Sequence, residues 1–106
     1  MKAIYKYTLD RDGRVNNTWR VQMPYGAELL STAVQVQKSV KEIVVYAVVN
    51  PDEHREEWFV ITSLETGRKF TEEAEKLLGK FLGTMNISDR DGMYHIFGRR
   101  VIYGEE

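Results

Sequence analysis

The stretch Ile43-Val44-Val45-Tyr46-Ala47-Val48-Val49 decides the fold. Side chains of an extended chain alternate between two faces, so an unbroken apolar run is apolar on both. Such a run reads as a central strand, covered on each side by another layer or by a partner subunit. Trp58-Phe59-Val60-Ile61 has the same character. Around these two runs the dominant period is two. Tyr5, Tyr7 and Leu9 alternate with Lys6 and Thr8, and Trp19, Val21 and Met23 with Thr18, Arg20 and Gln22. Val34 and Val36 alternate with Gln35 and Gln37. Each pattern fits a strand with one buried face. Phe81–Ile87, Met93–Phe97 and a short Arg100–Tyr103 run complete roughly six or seven strands.

The punctuation agrees with this reading. Asn16-Asn17, Pro24-Tyr25-Gly26, Asn50-Pro51-Asp52 and Thr66-Gly67 are turn signals. Asp-Arg-Asp-Gly occurs twice, at 10–13 and 89–92, each time between strand-like runs. The flanking residues differ, so the two copies read as hairpin turns and not as an internal repeat. One helix stands out. Thr71 is its N-cap, Glu72 and Glu73 lie at the positive end of its dipole, and Ala74, Leu77 and Leu78 form an apolar stripe. Gly79 is placed at C′. Residues 27–31 have some helical character but lead into the alternation from Thr32, so they read mostly as strand. The expected fold is α+β, a mainly antiparallel twisted sheet of six or seven strands with one short helix packed on it.

Length and composition bound the function. The 106 residues make one domain, 1–106. Fifteen Lys and Arg against sixteen Asp and Glu give a net charge of -1, which argues against a protein that sheathes duplex DNA. There is no Cys, which removes disulfides, thiol catalysis and Cys-based metal sites together. No apolar run approaches the ~20 residues of a membrane span. The start, Met1-Lys2-Ala3-Ile4-Tyr5-Lys6, turns polar too soon for a signal peptide. The expected compartment is the cytoplasm.

Motifs for catalysis are weak. Counted as calcium loops, the two Asp-Arg-Asp-Gly segments put Val21 and Arg100 at position twelve, where a bidentate Glu is needed. Asp52-Glu53-His54-Arg55-Glu56-Glu57 reads as a solvated charged loop, with no second histidine at ligand spacing. His95 lies between Tyr94 and Ile96 with no nucleophile motif beside it, so it reads as structural. The expectation is no enzyme, no cofactor and no metal.

Binding of an anion is the stronger reading. Arg99 and Arg100 follow the last long strand, and guanidinium forks suit phosphates and carboxylates. Arg68 and Lys69 precede the helix and form the second cluster, although Glu72 and Glu73 follow closely. Trp19 and Tyr103 each lie close to an Arg in sequence and are the aromatics assigned to a rim, with packing favoured for Trp19. On this reading, replacing Arg99 and Arg100 by Ala weakens anion binding and leaves the melting temperature nearly unchanged.

Read end to end, the chain resembles a family of small proteins of unknown function encoded by bacteriophages and prophages. The resemblance rests on Ile4-Tyr5-Lys6-Tyr7-x-Leu9, Val21-x-Met23-Pro24-x-Gly26-Ala27-x-x-Leu30 and Val34-x-Val36-Gln37. It continues through Val45-Tyr46-Ala47-Val48-Val49-Asn50-Pro51, Phe59-x-Ile61, Thr66-Gly67, Leu82-Gly83-Thr84 and Tyr94-His95-Ile96-Phe97. Departures lie at Asp10–Asn17 and Arg99–Glu106. The resemblance brings no catalytic residues. It implies a non-enzymatic phage-type binding protein, a counter-defence or host-takeover factor that sequesters a host signalling nucleotide or inhibits a host protein. The alternatives are a nucleic-acid-binding accessory protein, which is not favoured, and a minor structural or assembly protein of the phage particle. Two doubly apolar strands with one helix to cover them imply a homo-oligomer.

Overall fold

The computed structural model describes residues 1–10, 17–86, 92–102 and 104. Among the described residues the strands are β1 (Ala3–Leu9), β2 (Thr18–Pro24), β3 (Glu28–Gln37), β4 (Val40–Val49), β5 (Glu56–Glu65), β6 (Lys80–Met85) and β7 (Tyr94–Arg100), with α1 (Glu72–Lys76) between β5 and β6. They form two sheets instead of the single sheet expected, a three-stranded one in the order β1-β4-β3 and a four-stranded one in the order β2-β5-β7-β6. Every pairing is antiparallel. The two doubly apolar runs are β4 and β5, and each lies between two partners in its own sheet. Residues 27–31 enter β3 as strand, with a register shift between Leu29 and Ser31. The described residues of the run 100–103 form no separate strand, and Tyr103 lies outside the described residues. Arg100 ends β7, and the Val101 amide donates to the Trp58 carbonyl at 2.9 Å. Both Asp-Arg-Asp-Gly turns lie largely outside the described residues.

Alternation explains the core. Ile43, Val45, Ala47 and Val49 of β4 share one cluster with Phe59 and Ile61 of β5, Trp19 and Met23 of β2, Leu82 and Met85 of β6, and Ile96 of β7. Removing one such large side chain from water is worth roughly 1.5–3 kcal/mol, so this cluster holds the two sheets together. The opposite face of each central strand is covered differently. Over β4, Lys6 Nζ donates to Gln35 Oε1 at 2.5 Å, a bridge from β1 to β3. Val44, paired with Thr8 and Ala33 between those strands, is fully buried. Over β5, the chain itself supplies the cover, through the excursion that carries α1. The outer face of β5 is thus roofed by a chain segment, whereas that of β4 is bridged by one polar pair near Val44 and stays open toward Ile4, 64% exposed opposite Val48.

The loop between β4 and β5 is a charged turn. Glu53 accepts two bonds from the Arg55 guanidinium at 3.0 and 3.2 Å and one from the Arg55 amide at 3.0 Å. Those bonds hold its carboxyl down at about 2. Arg55 in turn lies 4.3 Å from the centre of the Tyr25 ring. No helix among the described residues is long and apolar enough to cross a membrane.

Candidate functional site: a cation-lined cleft under the helix

The residues between β5 and β6 turn back across the outer face of the four-stranded sheet. The Thr71 hydroxyl accepts from the Ala74 amide at 3.1 Å and starts the helix, with Glu72, Glu73 and Glu75 in its first turn. Ala74, Leu77 and Leu78 follow at i, i+3 and i+4, the spacing of one stripe, but only Leu78 is buried; Ala74 and Leu77 stay exposed along the side of the cleft. The helix ends with Leu77 as C-cap, and the positive φ falls on Gly79, two residues beyond the cap and one later than the C′ position expected.

A cleft of about 420 Å³ lies between this excursion and the sheet. Its apolar lining is Val60 and Leu64 from β5 with Phe70, Ala74, Leu77 and Leu78 from the excursion. Asn17, Thr18 and Thr62 add polar groups. Four cationic residues line it: Arg20 of β2, Arg68 and Lys69 ahead of α1, and Arg99 of β7. Among the described residues no carboxylate belongs to the lining. In a chain of net charge -1, four cations gathered around one apolar floor are a local concentration of positive charge.

Register builds this cluster. Val60 pairs with Arg20 on one side and with Arg99 on the other. Directly opposed residues have Cβ atoms about 5 Å apart, so the two guanidinium stems flank the same valine. Arg99 also fixes the helix end. Its Nε donates to the Leu77 carbonyl at 2.6 Å, and its Nη1 donates to the Arg100 carbonyl at 3.1 Å. At the turn ahead of the helix, the Arg68 amide donates to the Glu65 carbonyl at 3.0 Å, with Gly67 at φ +90°.

The structure brings together three of the six residues selected from sequence, namely Arg68, Lys69 and Arg99. Arg100 does not join them. Neighbours on a strand point to opposite faces, so Arg100 turns toward the other sheet. Its Nε bonds Glu57 at 2.5 Å, its Nη2 donates to the Ala27 carbonyl at 2.9 Å, and its guanidinium lies 5.6 Å from the Phe59 ring centre. Trp19 is a core residue, 5% exposed, whose Nε1 donates to the Asp10 carbonyl. It does not stand at a rim. Tyr103 lies outside the described residues. Arg20 was not selected, because its place opposite Val60 depends on a pairing that no single strand announces.

His95 lies on the same outer face, paired with Leu64 and Thr84. Its Nε2 is 2.7 Å from the Thr66 hydroxyl and its Nδ1 is 2.9 Å from the Thr84 hydroxyl. The ring thus ties the end of β5 to β6 and β7, a structural arrangement. A second cleft of about 370 Å³ lies beside Ala27 and Phe59. There Lys80 donates to the Leu29 carbonyl at 2.6 Å, Arg100 is paired with Glu57 and donates to the Ala27 carbonyl, and the Glu28 carboxylate joins the lining. Among the described residues no group of three metal-ligating side chains occurs.

The cation-lined cleft supplies charge and an apolar floor, which are the requirements for holding an anion with an organic body. No curated protein and no solved structure matches the chain. A family match covers residues 1–103 and thus nearly all of both sheets, and the chain belongs to that family, described as a domain of unknown function (DUF7352).

Proposed function

We propose that the chain is a non-enzymatic binding protein that holds a small organic anion in the cleft under α1. The observation that carries this reading is the convergence of Arg20, Arg68, Lys69 and Arg99 on an apolar floor with no carboxylate among the described lining residues. Charge-assisted hydrogen bonds from guanidinium groups contribute about 1.5–3 kcal/mol each. Two of them account for a large share of a micromolar affinity of about -8 kcal/mol. Calorimetric titration with inorganic pyrophosphate tests the reading. Saturable 1:1 binding is expected, weakened about tenfold by Arg20→Ala and by Arg68→Ala, and weakened further by salt. Absence of binding, or binding that both variants leave unchanged, overturns it. The setting proposed for this activity is a bacteriophage or prophage protein acting in the host cytoplasm, where removing a signalling anion blunts a response. That setting rests on the sequence resemblance.

We also propose that the chain self-associates. What supports this is the outer face of the β1-β4-β3 sheet, which no segment of the chain covers among the described residues. Ile4, paired there with Val48, is 64% exposed. Light scattering at micromolar concentration is expected to give twice the chain mass or a higher multiple. A monomer across that range sinks the proposal.

A further inference from the structure

Trp58 of β5 stands out on the face of the four-stranded sheet that carries the cleft. Phe81 of β6 does so too, 54% exposed and 5.5 Å from the Phe97 ring, but Trp58 is the one on the strand of Val60. Phe59 points into the core, so alternation sends Trp58 outward. It is 43% exposed, whereas every residue of β5 from Phe59 to Leu64 is buried. Trp58 lies two residues from Val60 on the same strand and face, a separation of about 7 Å. Val60 is the residue flanked by Arg20 and Arg99. The indole therefore stands just beyond the Val60 side of the cation-lined cleft, outside its lining and one strand repeat from the two guanidinium stems. Its backbone is fixed on both sides, by pairing with Gln22 of β2 and by the bond from Val101.

An exposed indole in the interior of a sheet offers a flat apolar face, and aromatic bases stack on such faces. Cations one strand repeat away match a phosphate separated from its base by a single ribose. Gln22, opposite Trp58, has an amide with donors and an acceptor for a base edge. An aliphatic anion would gain nothing from this arrangement beyond the deeper Leu64–Leu78 floor. We propose that the ligand of the cleft is a nucleotide whose base stacks on Trp58 while its phosphates meet Arg20 and Arg99. This rests on the anion-binding reading above and narrows it to one chemical class.

The test compares ADP, inorganic pyrophosphate and hexyl phosphate on the full chain and on its Trp58→Ala and Trp58→Phe variants, by calorimetry and by tryptophan emission. ADP is expected to bind at least tenfold tighter than pyrophosphate or hexyl phosphate and to quench Trp58. Trp58→Ala should remove that advantage and leave pyrophosphate affinity unchanged. Trp58→Phe should keep most of the advantage but show no quenching, because the remaining Trp19 is buried. Pyrophosphate binding as tight as ADP, or an ADP preference that survives in Trp58→Ala, overturns the nucleotide assignment while the anion site stands. Hexyl phosphate binding tighter than ADP overturns it in favour of an aliphatic ligand. Failure of all three ligands removes the anion site and the nucleotide with it.

Discussion

Gly79→Ala is expected to destabilise the protein by about 3 kcal/mol or more, a loss of roughly 12 °C in melting temperature for a domain of this size. Two costs combine. Gly79 has φ +84°, a left-handed conformation that disfavours a Cβ by about 1–2 kcal/mol. The added Cβ would also stand 2.5 Å from the Gly98 carbonyl oxygen and 2.6 Å from Arg99 Cβ. Both belong to β7, inside the four-stranded sheet, so neither can swing aside as a flexible side-chain tip would. The chain must make this close approach to pass from α1 into β6. Gly67→Ala is the control. Gly67 has φ +90° but among the described residues nothing lies within 4 Å of where a Cβ would stand, so only the conformational cost of about 1–2 kcal/mol remains. Thermal melts of the two variants check the difference. Equal losses would show that the approach to β7 is not what constrains Gly79. Because Gly79 closes the excursion that roofs the cleft, its substitution should also weaken pyrophosphate binding, whereas Gly67→Ala should do so less.

The parts of the fold legible in the sequence were those set by one segment at a time. β4 and β5 announce themselves as apolar on both sides, and both are central because central strands have neighbours to cover them. The α1 stripe of Ala74, Leu77 and Leu78 is equally local. The split into two sheets was not legible. It depends on which strand pairs with which, and alternation marks a buried face without saying what buries it. The same limit governs the candidate site. Arg68 and Lys69 stand beside the helix start in sequence and in space. Arg20 reaches the cleft only through the β2–β5 pairing, which sets it opposite Val60, a residue far away in the sequence. Trp19 shows the converse: its closeness to Arg20 in sequence offered a rim position beside the packing role favoured for it, and because adjacent residues on a strand share no face it is the packing role that holds.

Arg99 and Arg100 make the same point in a form that can be measured. Read as adjacent cations they form one patch, and removing them together should weaken binding without touching stability. Their placement on opposite faces gives a different expectation for each. Arg100→Ala removes the bond to Glu57, the bond to the Ala27 carbonyl and the guanidinium beside Phe59. Its side chain is about half exposed, so solvent screens part of this, and a loss of about 2 kcal/mol is expected. Pyrophosphate affinity should not change, because Arg100 does not line the cleft under α1. Arg99→Ala is expected to act on both quantities. Loss of the Nε bond to the Leu77 carbonyl loosens the helix end and costs about 1 kcal/mol. Loss of one cation beside Val60 should weaken pyrophosphate by at least ~1.5 kcal/mol, about tenfold. Arg99→Lys keeps the charge but not the planar fork, so it should recover part of the affinity and little of the helix anchoring. Melts and titrations of the three single variants separate these outcomes. If Arg100→Ala weakens pyrophosphate as much as Arg99→Ala does, the anion is held on the other face of β7, and the cleft under the helix is not its site.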